Sequence, residues 1–171
     1  MKYFFNITFL FAFAIVYLDT HAQSITFEKT FGDTQNVERG FCVKQTLDTG
    51  YIILGTNYGD DSGFGSTMLI KTDSLGNKVW NKGGTIYSFG LFQSWAKSIK
   101  ITSDSGFIIT GGSYNYGGNI GAQDIFLIKT DKNGDEKWFT TIDYIESNPP
   151  FSTFHEYGND VIQTSNGEYV I

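Results

Sequence analysis

The chain repeats itself, and a repeat at a fixed spacing constrains a fold more than any single residue can. Thr46-Leu47-Asp48-Thr49-Gly50-Tyr51-Ile52-Ile53-Leu54-Gly55 returns 56 residues later as Thr102-Ser103-Asp104-Ser105-Gly106-Phe107-Ile108-Ile109-Thr110-Gly111. It begins again 62 residues further on, as Thr164-Ser165-Asn166-Gly167-Glu168-Tyr169-Val170-Ile171. A second block, Leu69-Ile70-Lys71-Thr72-Asp73-Ser74-Leu75-Gly76-Asn77-Lys78-Val79-Trp80, recurs 58 residues on as Leu127-Ile128-Lys129-Thr130-Asp131-Lys132-Asn133-Gly134-Asp135-Glu136-Lys137-Trp138. Length varies only between blocks.

Each copy divides into four strand-like segments, in the second copy Ser98 to Thr102, Gly106 to Gly111, Asp124 to Asp131 and Glu136 to Ile142. Tyr51-Ile52-Ile53-Leu54 and Phe107-Ile108-Ile109 are continuously apolar, as expected where both sheet faces are covered. The bridging turns, such as Leu47-Asp48-Thr49-Gly50 and Lys132-Asn133-Gly134-Asp135, carry Gly, Asn and Asp, which predicts tight hairpins with positive φ at those residues. With 16 Phe, 10 Tyr and 20 Gly the composition is tilted towards strands as well.

The predicted fold is therefore all-β, with four antiparallel strands per unit, which is the blade of a β-propeller. Residues 40–95 form repeat 1, residues 96–158 repeat 2, and residues 159–171 the truncated start of repeat 3. The reading is of two full blades and part of a third, an open stack belonging to a longer protein, since rings use about four to eight blades. Residues 23–39 hold a lone strand and its connection. Ile25 to Phe31 resembles the fourth strand that starts at Trp80 or Trp138, with Phe27 in the Trp place, and suits a ring-closing strand whose partner blade lies elsewhere.

Residues 1–22 open with Lys2, continue through the apolar run Phe4 to Leu18 and end in Thr20-His21-Ala22. That is the pattern of a signal peptide cleaved after Ala22, and it predicts a secreted or cell-surface protein with no stable membrane span in the mature chain. Gln23 and not Cys stands directly after Ala22, so lipidation is not indicated. Removing the leader takes away Lys2 and Asp19 and leaves the net charge at −6, which argues against a nucleic-acid partner.

These blocks resemble a family of bacterial secreted propeller proteins whose blades read T-x-D-G-G-Y-I-I-x-G followed by L-I-K-T-D-x-x-G-N-x-x-W. The resemblance covers nearly all of residues 24–171 and implies a large secreted protein, often with a type IX secretion sorting domain and mostly without an assigned activity. Thr49 and Ser105 stand where the family has the first Gly of its Gly-Gly pair. The Leu-Ile-Lys-Thr-Asp…Gly…Trp block is also similar to the outer strands of pyrroloquinoline-quinone propeller repeats, a likeness of packing in which no quinone-binding residue can be matched. Gly50, Gly106, Trp80, Trp138, Asp73 and Asp131 are accordingly read as structural repeat positions, with both Trp side chains expected to be largely buried against the adjacent blade.

The residues suggest no catalytic set, no cofactor and no metal site. Past the leader His155 is the only His, and Cys42, the only Cys, is read as a packing residue in its Phe-Cys-Val run. The Gly-rich stretches match neither a dinucleotide fingerprint nor a P-loop. What stands out is the asymmetry of the connections. Tight turns link strands one to two and three to four, whereas the links over residues 56–66, 83–94, 112–123 and 143–158 are long and emerge together on one face. They carry Tyr58, Phe64, Tyr87, Phe89, Trp95, Tyr114, Tyr116 and Tyr157, along with Phe92, Tyr144, Phe151 and Phe154. An aromatic, Gly/Asn-rich surface suits an extracellular glycan or protein. The expectation is thus a non-enzymatic binding or scaffold module. The alternative is a hydrolase or lyase using loop carboxylates drawn from Asp60, Asp61, Asp124, Asp143, Glu146 and Glu156.

Overall fold

A computed structural model of the chain describes residues 27–32, 37–58, 65–83, 93–114, 123–142 and 155–171. The predicted leader, residues 1–22, lies outside these. The described residues form strands and no helix. None of them therefore lies in a helix long and apolar enough to cross a membrane.

Two four-stranded antiparallel meanders account for most of the structure. The first runs β1 (Glu38–Gln45), β2 (Tyr51–Asn57), β3 (Ser66–Thr72) and β4 (Lys78–Gly83), paired in chain order. The second runs β5 (Gln93–Ile101), β6 (Phe107–Tyr114), β7 (Gln123–Thr130) and β8 (Glu136–Ile142), again in chain order. A short hairpin of β9 (Ile162–Gln163) and β10 (Tyr169–Val170) follows. The two meanders share even their irregularities. The first strand of each bulges, between Gly40 and Cys42 and between Ala96 and Ser98, and each third-to-fourth pairing slips at Lys71/Thr72 and Lys129/Thr130. Repeated sequence has become repeated register.

The sheets pack face to face. Ile52, Leu54 and Leu69 of the first meet Ala96, Ile99, Phe107, Ile109, Phe126 and Ile128 of the second in one core. On its other face the second sheet is covered by residues 155–171, where Ile108 and Leu127 pack with Val161 and Tyr169. Every residue of β6 except Tyr114 is buried as a result. In β2, Tyr51 and Ile53 are only half-buried, because among the described residues the outer face of the first sheet meets little more than residues 27–32. The unbroken apolar runs thus give two-sided burial in one sheet and one-sided burial in the other.

Three expectations need correction. The strands run into what read as long connections: β2 reaches Asn57, β6 reaches Tyr114, and β5 begins at Gln93. At the first-to-second turns positive φ falls on Thr49 (65°) and Ser105 (66°), the non-glycine residues, and not on Gly50 or Gly106. Gly50 and Gly106 are needed for closeness instead. A β-carbon at either would overlap the carbonyl oxygen of Thr72 or Thr130 and lie 2.6 Å from the Lys71 or Lys129 ammonium. Trp80 is half-buried and Trp138 is 37% exposed, less covered than expected, because Trp138 faces only the two-stranded hairpin.

Candidate functional site

A meander of antiparallel strands puts its two kinds of connection at opposite ends, and the two ends differ in chemistry. At the tight-turn end the repeated residues lock the turns. Asp73 accepts hydrogen bonds from the backbone N–H groups of Leu75 (2.9 Å) and Asn77 (2.8 Å), and Asp131 from those of Asn133 (2.9 Å) and Asp135 (3.0 Å). Asp48 and Asp104 do the same at the other turns while pairing with an inward lysine. Lys71 reaches Asp48 at 2.9 Å and the Thr72 carbonyl at 2.9 Å, and Lys129 reaches Asp104 at 2.9 Å and the Thr130 carbonyl at 2.7 Å.

Both lysine side chains are buried, so their ammonium groups require these partners. The Thr46 hydroxyl and then the Lys71 ammonium hold the Asp48 carboxyl down to about 2, and Thr102 and Lys129 hold Asp104 well below the usual range. In the third copy Asn166 replaces the Asp and bonds to Thr164 and Glu168.

An aromatic ring docks onto the next unit at this end three times, twice over a turn glycine. The Phe27 ring sits over Gly76, where a β-carbon would lie 2.5 Å from it, and meets Tyr51 edge-on at 5.7 Å and 64°. Trp80 sits over Gly134 in the same way, with a β-carbon 2.8 Å from the indole, and shares a core with Phe107. Trp138 meets Tyr169 at 5.6 Å and 63°. Phe27 thus occupies the Trp position. Tyr51, Phe107 and Tyr169 are the same repeat position, so an aromatic of each segment docks onto the next unit, although residues 27–32, expected to be a lone strand, are in no strand.

The long-connection end gathers aromatic rings. Trp95 lies in β5 and Tyr114 in β6, edge-on at 5.0 Å, and Tyr114 meets the exposed His155 at 6.0 Å. Arg39 lies over the Tyr58 ring at 5.2 Å and Lys97 over the exposed Tyr157 ring at 5.5 Å. Phe64, Tyr87, Phe89 and Tyr116 fall outside the described residues, as do Phe92, Tyr144, Phe151 and Phe154.

Beneath the rings runs a buried polar layer that sequence reasoning missed. Ser94, Ser113 and Asp124 are opposite one another across β5, β6 and β7, and the Ser94 hydroxyl is 3.2 Å from that of Thr67 on the facing sheet. Ser113 Oγ and Thr56 Oγ1 are buried without a hydrogen-bond partner. No periodic signal marked it in the sequence, since Ser94 and Ser98 are four residues apart and Thr110 and Ser113 three. Of the acids weighed above, Asp124 is buried and Glu156 half-buried, and Asp60, Asp61, Asp143 and Glu146 lie outside the described residues. Among the described residues no three His, Cys, Asp or Glu side chains converge to hold a metal, and Cys42 is half-buried against the core. Compared with protein-family models and with curated proteins, the chain matches none.

Proposed function

We propose that this chain belongs to a secreted or cell-surface β-propeller, of the bacterial repeat family it resembles, that binds or scaffolds an extracellular glycan or protein without catalysing a reaction. The observation that carries this reading is the docking of an aromatic onto the next unit, Phe27 and Trp80 each over a turn glycine, Gly76 and Gly134, and Trp138 against Tyr169. Four-stranded units that each dock an outer aromatic onto the next are the parts from which a ring is assembled. Residues 27–32 then serve as the outer strand of a closing blade, and the half-covered face of the first sheet, with Phe41 43% and Val43 56% exposed, receives the remaining strands of that blade.

The ligand-facing side is the long-connection end. It gathers Trp95 of β5 and Tyr114 of β6, both half-buried, beside the exposed Tyr157 and His155. Screening the protein with all of its repeats against glycan and extracellular-protein arrays tests the reading. It expects a ligand whose binding weakens in Trp95→Ala and Tyr114→Ala. Turnover of a substrate that is abolished in Asp124→Asn would replace it with the hydrolase or lyase reading.

A further inference from the structure

At the tight-turn end the two four-stranded sheets do not close on each other. A cavity of about 460 Å³ opens between them, within the size range of small-molecule sites. Trp80 forms its aromatic wall, backed by the buried Phe107, and the indole is held in place by its seat on Gly134. Asp48 and Lys71 from the first sheet and Lys132 and Asn133 from the β7–β8 turn supply its polar edge.

A second cavity, about 310 Å³, lies at the equivalent place one unit earlier, under Phe27. Phe31, Val43, Tyr51 and Ile53 line it, and no charged side chain does. Ser74 and Leu75 occupy the turn positions that Lys132 and Asn133 hold in the later unit. Asp48 and Lys71 are repeat positions, shared with Asp104 and Lys129, but Lys132 and Asn133 are not imposed by the repeat and are particular to the cavity between the two complete units.

We infer that this cavity binds a saccharide, with one pyranose ring laid against Trp80 and its hydroxyls meeting Asp48, Lys132 and Asn133. A pyranose has an apolar C–H face that an aromatic ring can cover, and its hydroxyls donate and accept at once. The edge offers both functions: the Asp48 carboxylate accepts, the Lys132 ammonium donates, and the Asn133 amide does either. A simple anion would face the Asp48 carboxylate, and a simple cation the Lys71 and Lys132 ammonium groups. A wholly apolar ligand would cover the Lys132 ammonium and the Asn133 amide without offering them a partner. The site is distinct from the long-connection end, and it needs only the two units present in this chain.

Saturation-transfer NMR and titration of this chain with a panel of neutral and acidic mono- and disaccharides test the inference. The expected result is transfer onto sugar ring protons, with binding weakened about tenfold or more by the pair Lys132→Ser and Asn133→Leu, which copies the edge of the earlier cavity. Thr140→Ala, at an exposed position of β8 away from the cavity, should leave the affinity unchanged. The exposed turn positions 132 and 133 carry little of the core, and an unaltered thermal midpoint confirms that the double variant is folded. Absence of binding across the panel overturns the inference. So does binding that survives the double variant, and binding lost only in Trp95→Ala assigns the sugar to the opposite end.

Discussion

The two meanders have the same strands, bulges and turn locks, yet they are buried differently. Ile99 on β5 is fully buried, while Val43, its counterpart on β1, is 56% exposed. Phe107 is 1% exposed, while its counterpart Tyr51 is half-buried. The second sheet has a packed neighbour on each face and the first has a complete one on a single face. Burial in such a molecule belongs to the interface between units and not to the strand, as stacked repeats require.

This comparison can be pushed hardest at the docking aromatics. Trp80→Ala removes an indole clamped between complete units and is expected to cost about 3–5 kcal/mol, whereas Trp138→Ala, facing only a hairpin, should cost about 1–2 kcal/mol. Urea denaturation of both variants measures the gap, and equal costs would break the comparison. Ile99→Ala should likewise cost about 2–5 kcal/mol against less than about 1 kcal/mol for Val43→Ala.

The inward lysines give a smaller effect that the two sheets should share. Asp104→Ala or Asp48→Ala strands a buried ammonium group, but the acids themselves are about two-thirds exposed, so each is expected to cost about 1–2 kcal/mol. Folding depresses the carboxyls of Asp48, Asp104 and Asp160, the last through Lys100 and then Ser98. Their contribution is complete above the unfolded value of about 3.9 and is lost as pH falls towards about 2. Thermal midpoints should therefore drop between pH 4 and pH 2, and less steeply in a variant lacking Asp48 and Asp104.

The smallest effect is a gain. Thr49 and Ser105 hold left-handed backbone where the third copy has Gly167, at φ 89°. Thr49→Gly or Ser105→Gly should relieve that strain and stabilise by about 0.5–1 kcal/mol, net of the added freedom of the unfolded chain. Thermal melts would register it.

Much of this was legible in the repeat. β8 lies where the sequence placed it, and Phe27 takes the Trp position. What escaped was non-local. Gln93 to Trp95 and Gly112 to Tyr114 read as loop because Gly and Ser favour no strand, yet pairing across β5 and β6 extends both. The positive φ at Thr49 and Ser105 was assigned to the neighbouring glycines, because the close approach of a lysine and a carbonyl that excludes a β-carbon at Gly50 and Gly106 comes from residues 21 to 24 positions away. The sugar-sized cavity was invisible for the same reason. Lys132-Asn133 is an ordinary turn in sequence and becomes an edge only when Asp48 and Trp80 are brought opposite it.

Backbone hydrogen exchange of this chain, followed strand by strand, tests most directly whether neighbours rather than sequence set the burial of each unit. The account predicts that the amides of β5 (Gln93–Ile101) exchange far more slowly than those of β1 (Glu38–Gln45), although the two strands have the same place in the repeat. Equal protection of β1 and β5 would contradict it.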